Sequence, residues 1–129
     1  MPIVSSTFEV QTPFINLVNS IRIILGNNYT NQINPHVPNS HIAQLFEEVI
    51  DAMVMELYFK EDFEKAGIAF INYAERDFES IEGKSEPEQI EIIHRAYQKL
   101  REKDNEIRNN LKLMDIKLAD IVMPIKAAK

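Results

Sequence analysis

The chain has 129 residues, of which 45% are apolar and 26% are charged, so its length and composition fit one globular domain of modest size. It has no cysteine, which excludes disulfides, thiolate zinc sites, iron–sulfur centres and cysteine nucleophiles, and its three glycines are too few for a glycine-rich phosphate-binding loop. No apolar run reaches the roughly 18–20 residues of a membrane span, and the first ten residues lack the basic start of a secretory signal. We therefore expect a cytoplasmic protein with no membrane partner.

The net charge of −6 argues against a dedicated nucleic-acid binder, but the charge is distributed unevenly along the chain. Residues 1–94 contain five basic and fifteen acidic side chains, whereas residues 95–129 contain nine basic and five acidic ones. The last quarter of the chain is therefore its only basic stretch. Solvated helix faces of mixed charge are the ordinary explanation of such a stretch, and contact with DNA phosphates is the alternative.

The first third of the sequence predicts an extended arm, a helix and a loop. Residues 1–12 place apolar side chains among serine and threonine, which favours a short extended arm. Thr12 followed by Pro13 is typical of a helix start, and the apolar residues that follow predict a helix over 13–25. Asparagine and proline dominate residues 27–39, which we expect to form a loop.

The next segment predicts the central helix of the core. Asn39 or Ser40 can cap its amino terminus. Its apolar residues recur with a period of 3.6 and form one continuous stripe: Ile42, Leu45, Phe46, Val49, Ile50, Met53, Val54 and Leu57. Its outer face carries four acidic residues: Glu47, Glu48, Asp51 and Glu56.

The remaining sequence predicts further short helices. One covers residues 61–66 and ends at Gly67, and the next contains the apolar residues of 68–81 and ends near Gly83. Ser85 and Glu88 form a capping box that starts a helix through residue 100. Asp104 or Asn105 starts the last helix, which a proline at position 124 is expected to stop.

These elements predict an all-α fold, an irregular bundle of about five helices with a short extended amino-terminal arm. We expect the arm at residues 1–12, a single helical domain at 13–125 and a tail at 126–129.

The residues indicate no catalytic site and no metal site. His36, His41 and His94 are far apart and form no metal-binding spacing. Glu47 and Asp51 lie one helical turn apart, but a solvated acidic face explains them without a cation. No G-x-S-x-G sequence presents a nucleophilic serine, and the methionines and aromatics lie mostly at core spacing.

Three segments resemble a known family. The first is FEEVIDAMVMELYFKEDFEKAGI, Phe46 to Ile68, and the second is KDNEIRNNLKLMD, Lys103 to Asp115. Together with PFINLVNSI, Pro13 to Ile21, they resemble the carboxyl-terminal helical region of restriction-modification proteins. These are adenine-N6 DNA methyltransferases, or fused methyltransferase-nucleases, of the Eco57I and TaqI-like type. The resemblance covers most of residues 13–125 in order.

The resemblance implies a non-catalytic part of such a protein. The family transfers a methyl group with an Asn-Pro-Pro-Tyr-like motif and binds S-adenosylmethionine with a glycine-rich loop. Neither motif occurs in this chain, because Asn34-Pro35-His36-Val37 shares only its first two residues with the catalytic motif. We therefore expect no activity and no bound cofactor for this chain alone, with S-adenosylmethionine bound by the parent protein. The implied partners are the remaining domains or subunits of that protein, and DNA through them.

If the chain itself touches DNA, the candidates for phosphate contact are six residues of its basic last quarter. We call them the basic set: Arg95, Lys99, Arg101, Lys103, Arg108 and Lys112. Arg108 has a structural alternative, in which it pairs with Glu106 or with a helix end.

A second hypothesis makes the chain a stand-alone helical interaction protein. In this case the acidic helix face of Glu47, Glu48, Asp51 and Glu56 binds a basic partner. This hypothesis predicts no affinity for DNA.

Overall fold

A computed structural model describes residues 8–26 and 38–127, and all the regular structure in these two ranges is α-helical. Seven helices follow one another in the described ranges: α1 (Phe8–Leu25), α2 (Asn39–Tyr58), α3 (Lys60–Ala66), α4 (Ile71–Asp77), α5 (Glu86–Arg101), α6 (Glu106–Lys117) and α7 (Ala119–Ala127). The predicted all-α class is confirmed. The described ranges contain more than the five or so predicted helices, in part because the predicted last helix is divided at Leu118 into α6 and α7.

Helix α2 is the centre of the core, as its continuous stripe predicted. Phe46, Val49 and Met53 are fully buried. Helix α1 packs along α2 and contributes Leu17 and Ile24, and α1 also contacts α4 and α5. Each such apolar side chain stabilises the fold by about 1.5–3 kcal/mol when it leaves water.

Helix α1 corrects the predicted arm. It begins at Phe8, so residues 8–12 are helical, and residues 1–7 lie outside the described part of the chain. Pro13 is the sixth residue of α1 instead of the first. Because proline has no N–H, Pro13 cannot donate a backbone hydrogen bond inside the helix. The ring of Pro13 is buried, and the packing of the ring offsets part of this loss.

Helices α2 and α3 have nearly the predicted bounds. Helix α2 starts at Asn39, so the predicted caps Asn39 and Ser40 lie inside it. The residue before the helix is Pro38, whose carbonyl accepts from the N–H of His41 at 3.0 Å. Helix α3 ends at Gly67, whose positive φ of 71° favours glycine. The predicted loop of 27–39 lies mostly outside the described residues.

Helix α4 is shorter than the predicted helix over residues 68–81. Its amino terminus is capped from another helix, because the Glu56 carboxylate accepts from the N–H groups of Phe70 and Ile71, both at 2.9 Å. Past Asp77 the backbone is extended at Phe78, whose carbonyl accepts from the amide of Asn16 at 3.0 Å. The apolar residues before and after α4 are buried as well, although they are not helical. In the sequence, the spacing of all these apolar residues resembles that of one longer helix.

Helices α5 and α6 begin where their caps predicted. The Ser85 hydroxyl accepts from the N–H of Glu88 at 3.4 Å, and the Asn105 side chain accepts from the N–H of Arg108 at 3.0 Å. Ile107 and Met114 of α6 are buried, as expected.

The end of the described chain corrects a second prediction. The predicted stop at Pro124 is wrong: Pro124 is the sixth residue of helix α7. The break comes earlier, at Leu118, whose carbonyl accepts from the N–H groups of Ile121 at 3.0 Å and Val122 at 2.9 Å and so starts α7. The predicted tail at residues 126–129 is therefore helical as far as Ala127.

Candidate functional site

An apolar groove lies between α2, α6 and α7. Its volume is about 400 Å³. Five apolar side chains form its floor and walls: Val54, Met55, Leu111, Met114 and Ile125. Four charged side chains line it as well: Glu48, Asp51, Asp115 and Lys126. We call this feature the α2–α6–α7 groove.

Helices α2 and α7 provide two sides of the groove. Helix α2 presents Asp51 and Met55 one turn apart, so one wall is acidic at one end and apolar at the other. Helix α7 restarts after the break at Leu118 and brings Ile125 and Lys126 opposite α2. Val54 remains 37% exposed, and no described side chain fills the space above it.

The charges of the groove are mostly negative. Asp115 and Lys126 form an ion pair with a distance of 2.6 Å between Oδ1 and Nζ. Glu48 and Asp51 add two carboxylates from α2. Three carboxylates therefore line the groove against one ammonium group.

The predicted acidic face divides into three parts. Glu48 and Asp51 line the groove, whereas Glu47 is exposed beside it. Glu56, the fourth residue of the predicted partner-binding face, is half-buried, and its carboxylate caps α4 within the fold. Sequence spacing missed this role because the cap is made between residues 14 and 15 positions apart.

The basic set lies on the second half of α5, on the turn after it and on α6 as far as Lys112. All its members are exposed except Arg108, which is half-buried. Several are engaged within the fold: Arg95 lies 3.8 Å from Glu91, and the Arg101 guanidinium lies 5.8 Å from the centre of the Tyr97 ring. A phosphate would have to compete with these contacts.

Two members of the set have clear structural surroundings. Arg108 donates to the carbonyl of Arg101 at 3.1 Å, which is the predicted alternative of pairing with a helix end. Lys99 lies 3.9 Å from Asp77 and lines a polar depression with four carboxylates, those of Asp77, Glu102, Asp104 and Glu106. That depression disfavours a phosphate at Lys99.

The main buried charge is one that the sequence did not single out. Asp77 has a side chain that is 1% exposed, and it accepts from Arg76 at 2.7 and 3.0 Å and from the Asn105 amide at 3.0 Å. Arg76 also forms two hydrogen bonds with Glu106, at 2.9 and 3.0 Å. These bonds to Asp77 and Glu106 raise the pKa of Arg76, and the bonds from Arg76 lower the pKa of Glu106. The network joins α4 to the start of α6.

The resemblance segments meet at α4. Glu56 of the first segment caps α4, and Asn110 of the second donates to the carbonyl of Ala69, two residues before α4, at 2.8 Å. Asn109 donates to the carbonyl of Lys103 at 3.0 Å. Most polar residues of the N-E-I-R-N-N run therefore hold the fold together.

The histidines lie apart. His41 is exposed with its ring 6.2 Å from that of Tyr97, whereas His94 is 1% exposed and its Nε2 has no hydrogen-bond partner in the described ranges. His36, with the rest of the Asn34-Pro35-His36-Val37 sequence, lies outside the described residues. Within residues 8–26 and 38–127, no three His, Asp or Glu side chains are grouped as metal binding requires.

Burial of His94 predicts a loss of stability in mild acid. Burial lowers the pKa of His94 below 6.5, so the unfolded chain binds the proton more tightly than the folded one. We expect the free energy of unfolding to decrease as the pH falls below about 6.5, until the pKa of the folded state is reached. Urea unfolding between neutral and mildly acidic pH measures this dependence. His94→Gln should reduce it and His41→Gln should not, and equal pH profiles for the two variants would contradict the assignment.

None of the described helices has the length and apolar character needed to cross a membrane. No protein-family model, curated protein or solved structure matches the chain.

Proposed function

We propose that this chain is a non-catalytic helical accessory domain of a restriction-modification adenine-N6 DNA methyltransferase, or of a fused methyltransferase-nuclease. It acts by packing against another part of that protein through the α2–α6–α7 groove. S-adenosylmethionine and the methyl-transfer chemistry belong to the parent protein.

One observation carries the proposal. Seven of the nine residues that line the groove come from the first and second resemblance segments, and the other two come from α7. The segments that resemble the methyltransferase tail thus provide most of this apolar groove. Apolar surface of this kind is typical of contacts between domains and between subunits.

A photo-crosslinker placed in the groove tests the proposal. Val54→p-benzoylphenylalanine puts the reactive group in the groove, and Lys84→p-benzoylphenylalanine puts it on an exposed residue of the connection between α4 and α5, which does not line the groove. In the cells that naturally produce the chain, we expect a specific adduct from position 54 and none from position 84. Mass spectrometry should assign the crosslinked peptide to a DNA methyltransferase.

Two outcomes contradict parts of the proposal. Equal crosslinking from both positions would contradict docking in the groove. A specific adduct with a protein unrelated to DNA modification would support docking and contradict the restriction-modification setting. In that case the alternative of a stand-alone interaction module would be favoured.

DNA contact by the chain itself is a second candidate function, favoured by the exposure of most of the basic set. If Lys103 and Lys112 contact phosphates, each of Lys103→Gln and Lys112→Gln should reduce the slope of log affinity against log salt by about 0.9. Fluorescence anisotropy with a labelled duplex measures this slope. Lys60→Gln, which changes an exposed residue of α3, is the control. Binding that is absent, or that changes equally in all three variants, would remove this function.

A further inference from the structure

We infer that the outer face of α1 is covered by another protein, whose contact surface is apolar and carries one carboxylate opposite Arg22. This inference goes beyond the proposed function, because it concerns a surface that contributes no residue to the α2–α6–α7 groove. We call this surface the α1 face and define it by four residues: Ile15, Val18, Arg22 and Leu25.

The α1 face is apolar although it lies on the outside of the fold. Its residues follow one another at intervals of three, four and three positions, so they form one stripe along the helix. Ile15 is 44% exposed, Val18 is 45% exposed and Leu25 is 55% exposed. The half-buried side chains of Phe14 and Ile21 extend the stripe along one edge. A helix that is apolar on its outer face as well as on its inner face is ordinarily buried.

Helix α5 has the charged outer face that is typical of a helix in water. Its exposed stripe starts with Glu88, Glu91 and Arg95 at the same spacing and continues to Lys99. Between residues 13 and 26, in contrast, Arg22 is the only charged residue. Contact with water explains the exposed stripe of α5, whereas a contiguous exposed apolar stripe such as that of α1 marks an interaction surface.

The one charge on the α1 face indicates the chemistry of the occupant. Within residues 8–26 and 38–127, the Arg22 guanidinium forms no ion pair, although Glu82 lines the same shallow depression. Arg22 lies in the last turn of α1, where its charge stabilises the helix end but gains no carboxylate. An apolar surface laid over this guanidinium would remove it from water without compensation, which costs free energy. A carboxylate on the occupant removes this cost.

The chain itself offers no such carboxylate. Residues 1–7, 27–37 and 128–129, which lie outside the described ranges, contain neither Asp nor Glu. Glu9 belongs to the same helix as Arg22 and lies 13 residues before it, roughly 20 Å along the axis. A second copy docked with its own α1 face would bring another arginine and no acid. The carboxylate therefore comes from a different protein.

A membrane surface fits the α1 face less well than a protein does. Helices that lie on anionic membranes carry several Lys or Arg residues beside their apolar face. The α1 face carries one, and the chain as a whole has a net charge of −6.

A photo-crosslinker on the α1 face tests the inference in the cells that naturally produce the chain. Val18→p-benzoylphenylalanine places the reactive group on the face, and Glu91→p-benzoylphenylalanine places it on the charged outer face of α5. We expect an adduct with another protein from position 18 and none from position 91. Mass spectrometry should place the crosslinked peptide in a segment that contains apolar residues and an Asp or Glu.

Charge variants at Arg22 test the carboxylate. With the crosslinker at position 18, Arg22→Glu should reduce the adduct at least about tenfold, whereas Arg22→Lys keeps the cation and should reduce it by less than about threefold. Replacing the carboxylate of the crosslinked partner segment by lysine should restore the adduct of Arg22→Glu. Lys84→Glu makes the same change of charge at an exposed position outside the face and should alter the yield by less than about twofold. Circular dichroism checks that each variant of the chain keeps its helical content.

Several results would overturn the inference. The absence of an adduct from position 18, or equal adducts from positions 18 and 91, would show that no specific partner covers the face. An adduct within the chain or between two copies would make the chain its own occupant, and an adduct with lipid would make the membrane the occupant. Equal yields with Arg22→Glu and Arg22→Lys would contradict the carboxylate opposite Arg22.

Discussion

Phe46→Ala is expected to lower the free energy of unfolding by about 3–5 kcal/mol. Phe46 is fully buried on α2, and its ring meets that of Phe78 edge to face, with 5.1 Å between the ring centres. The substitution removes this contact and leaves a cavity in the centre of the core, where helices on several sides prevent collapse. Urea unfolding followed by circular dichroism measures the change.

Tyr58→Ala is the control, because it removes a ring from the same helix at a position that is 57% exposed. We expect it to change the free energy of unfolding by less than about 1 kcal/mol. Since a domain of this size has a total stability of about 5–15 kcal/mol, Phe46→Leu provides a milder variant that should remain folded. Equal effects of Phe46→Ala and Tyr58→Ala would contradict the central position of α2.

Asp77→Ala is expected to lower the free energy of unfolding by about 2–3 kcal/mol. The substitution leaves the buried Asn105 amide without its acceptor and removes two hydrogen bonds from Arg76. Asn105 also caps α6, so its displacement weakens the start of that helix. The same unfolding measurement gives the value.

Asp104→Ala is the control for Asp77→Ala, because Asp104 is an exposed carboxylate that lines the same polar depression. It should change the stability by less than about 0.5 kcal/mol. Asp77→Asn keeps an acceptor for Asn105 and should give an intermediate loss. A loss with Asp77→Ala no larger than that with Asp104→Ala would contradict the role of Asp77 as the link between α4 and α6.

Much of the fold could be predicted because the signals lie close together in sequence. The stripe of α2 and the caps Ser85 and Asn105 act within one or two helical turns, and the structure confirms them except at Val54, which is 37% exposed. The predictions for Pro13 and Pro124 were wrong because a proline costs one hydrogen bond of a helix interior, and packing of the rest of the helix can offset that loss.

The candidate site could be predicted only in part, because it depends on contacts between distant segments. The acidic face of α2 was visible in the sequence, but the apolar floor beside it requires α6 and α7 to fold next to α2. In the sequence, Glu56 falls on the outer face of α2 with the other acidic residues. Only the tertiary fold brings its carboxylate to the N–H groups at the start of α4. Asp77 follows Arg76 directly, which is typical of an exposed pair and gave no sign of burial.

The two longer resemblance segments both supply a helix cap. The E-L-Y-F step contains the cap of α4, and the N-E-I-R-N-N run contains the cap of α6 and the bonds to the segments before α4 and α6. Between these polar contacts, the same segments provide most of the groove. The same two segments therefore hold α4 in place and line the groove.

Hydrogen–deuterium exchange tests the central claim, docking through the groove, most directly. The purified chain is compared with the same chain in the assembly isolated from its own cells, and exchange is read by mass spectrometry. The proposal predicts slower exchange in the assembly for peptides from the second halves of α2 and α6 and from α7, with α5 and the start of α6 unchanged. Protection confined to the second half of α5 and the start of α6, with the groove peptides unchanged, would contradict it and would make the basic set the contact surface.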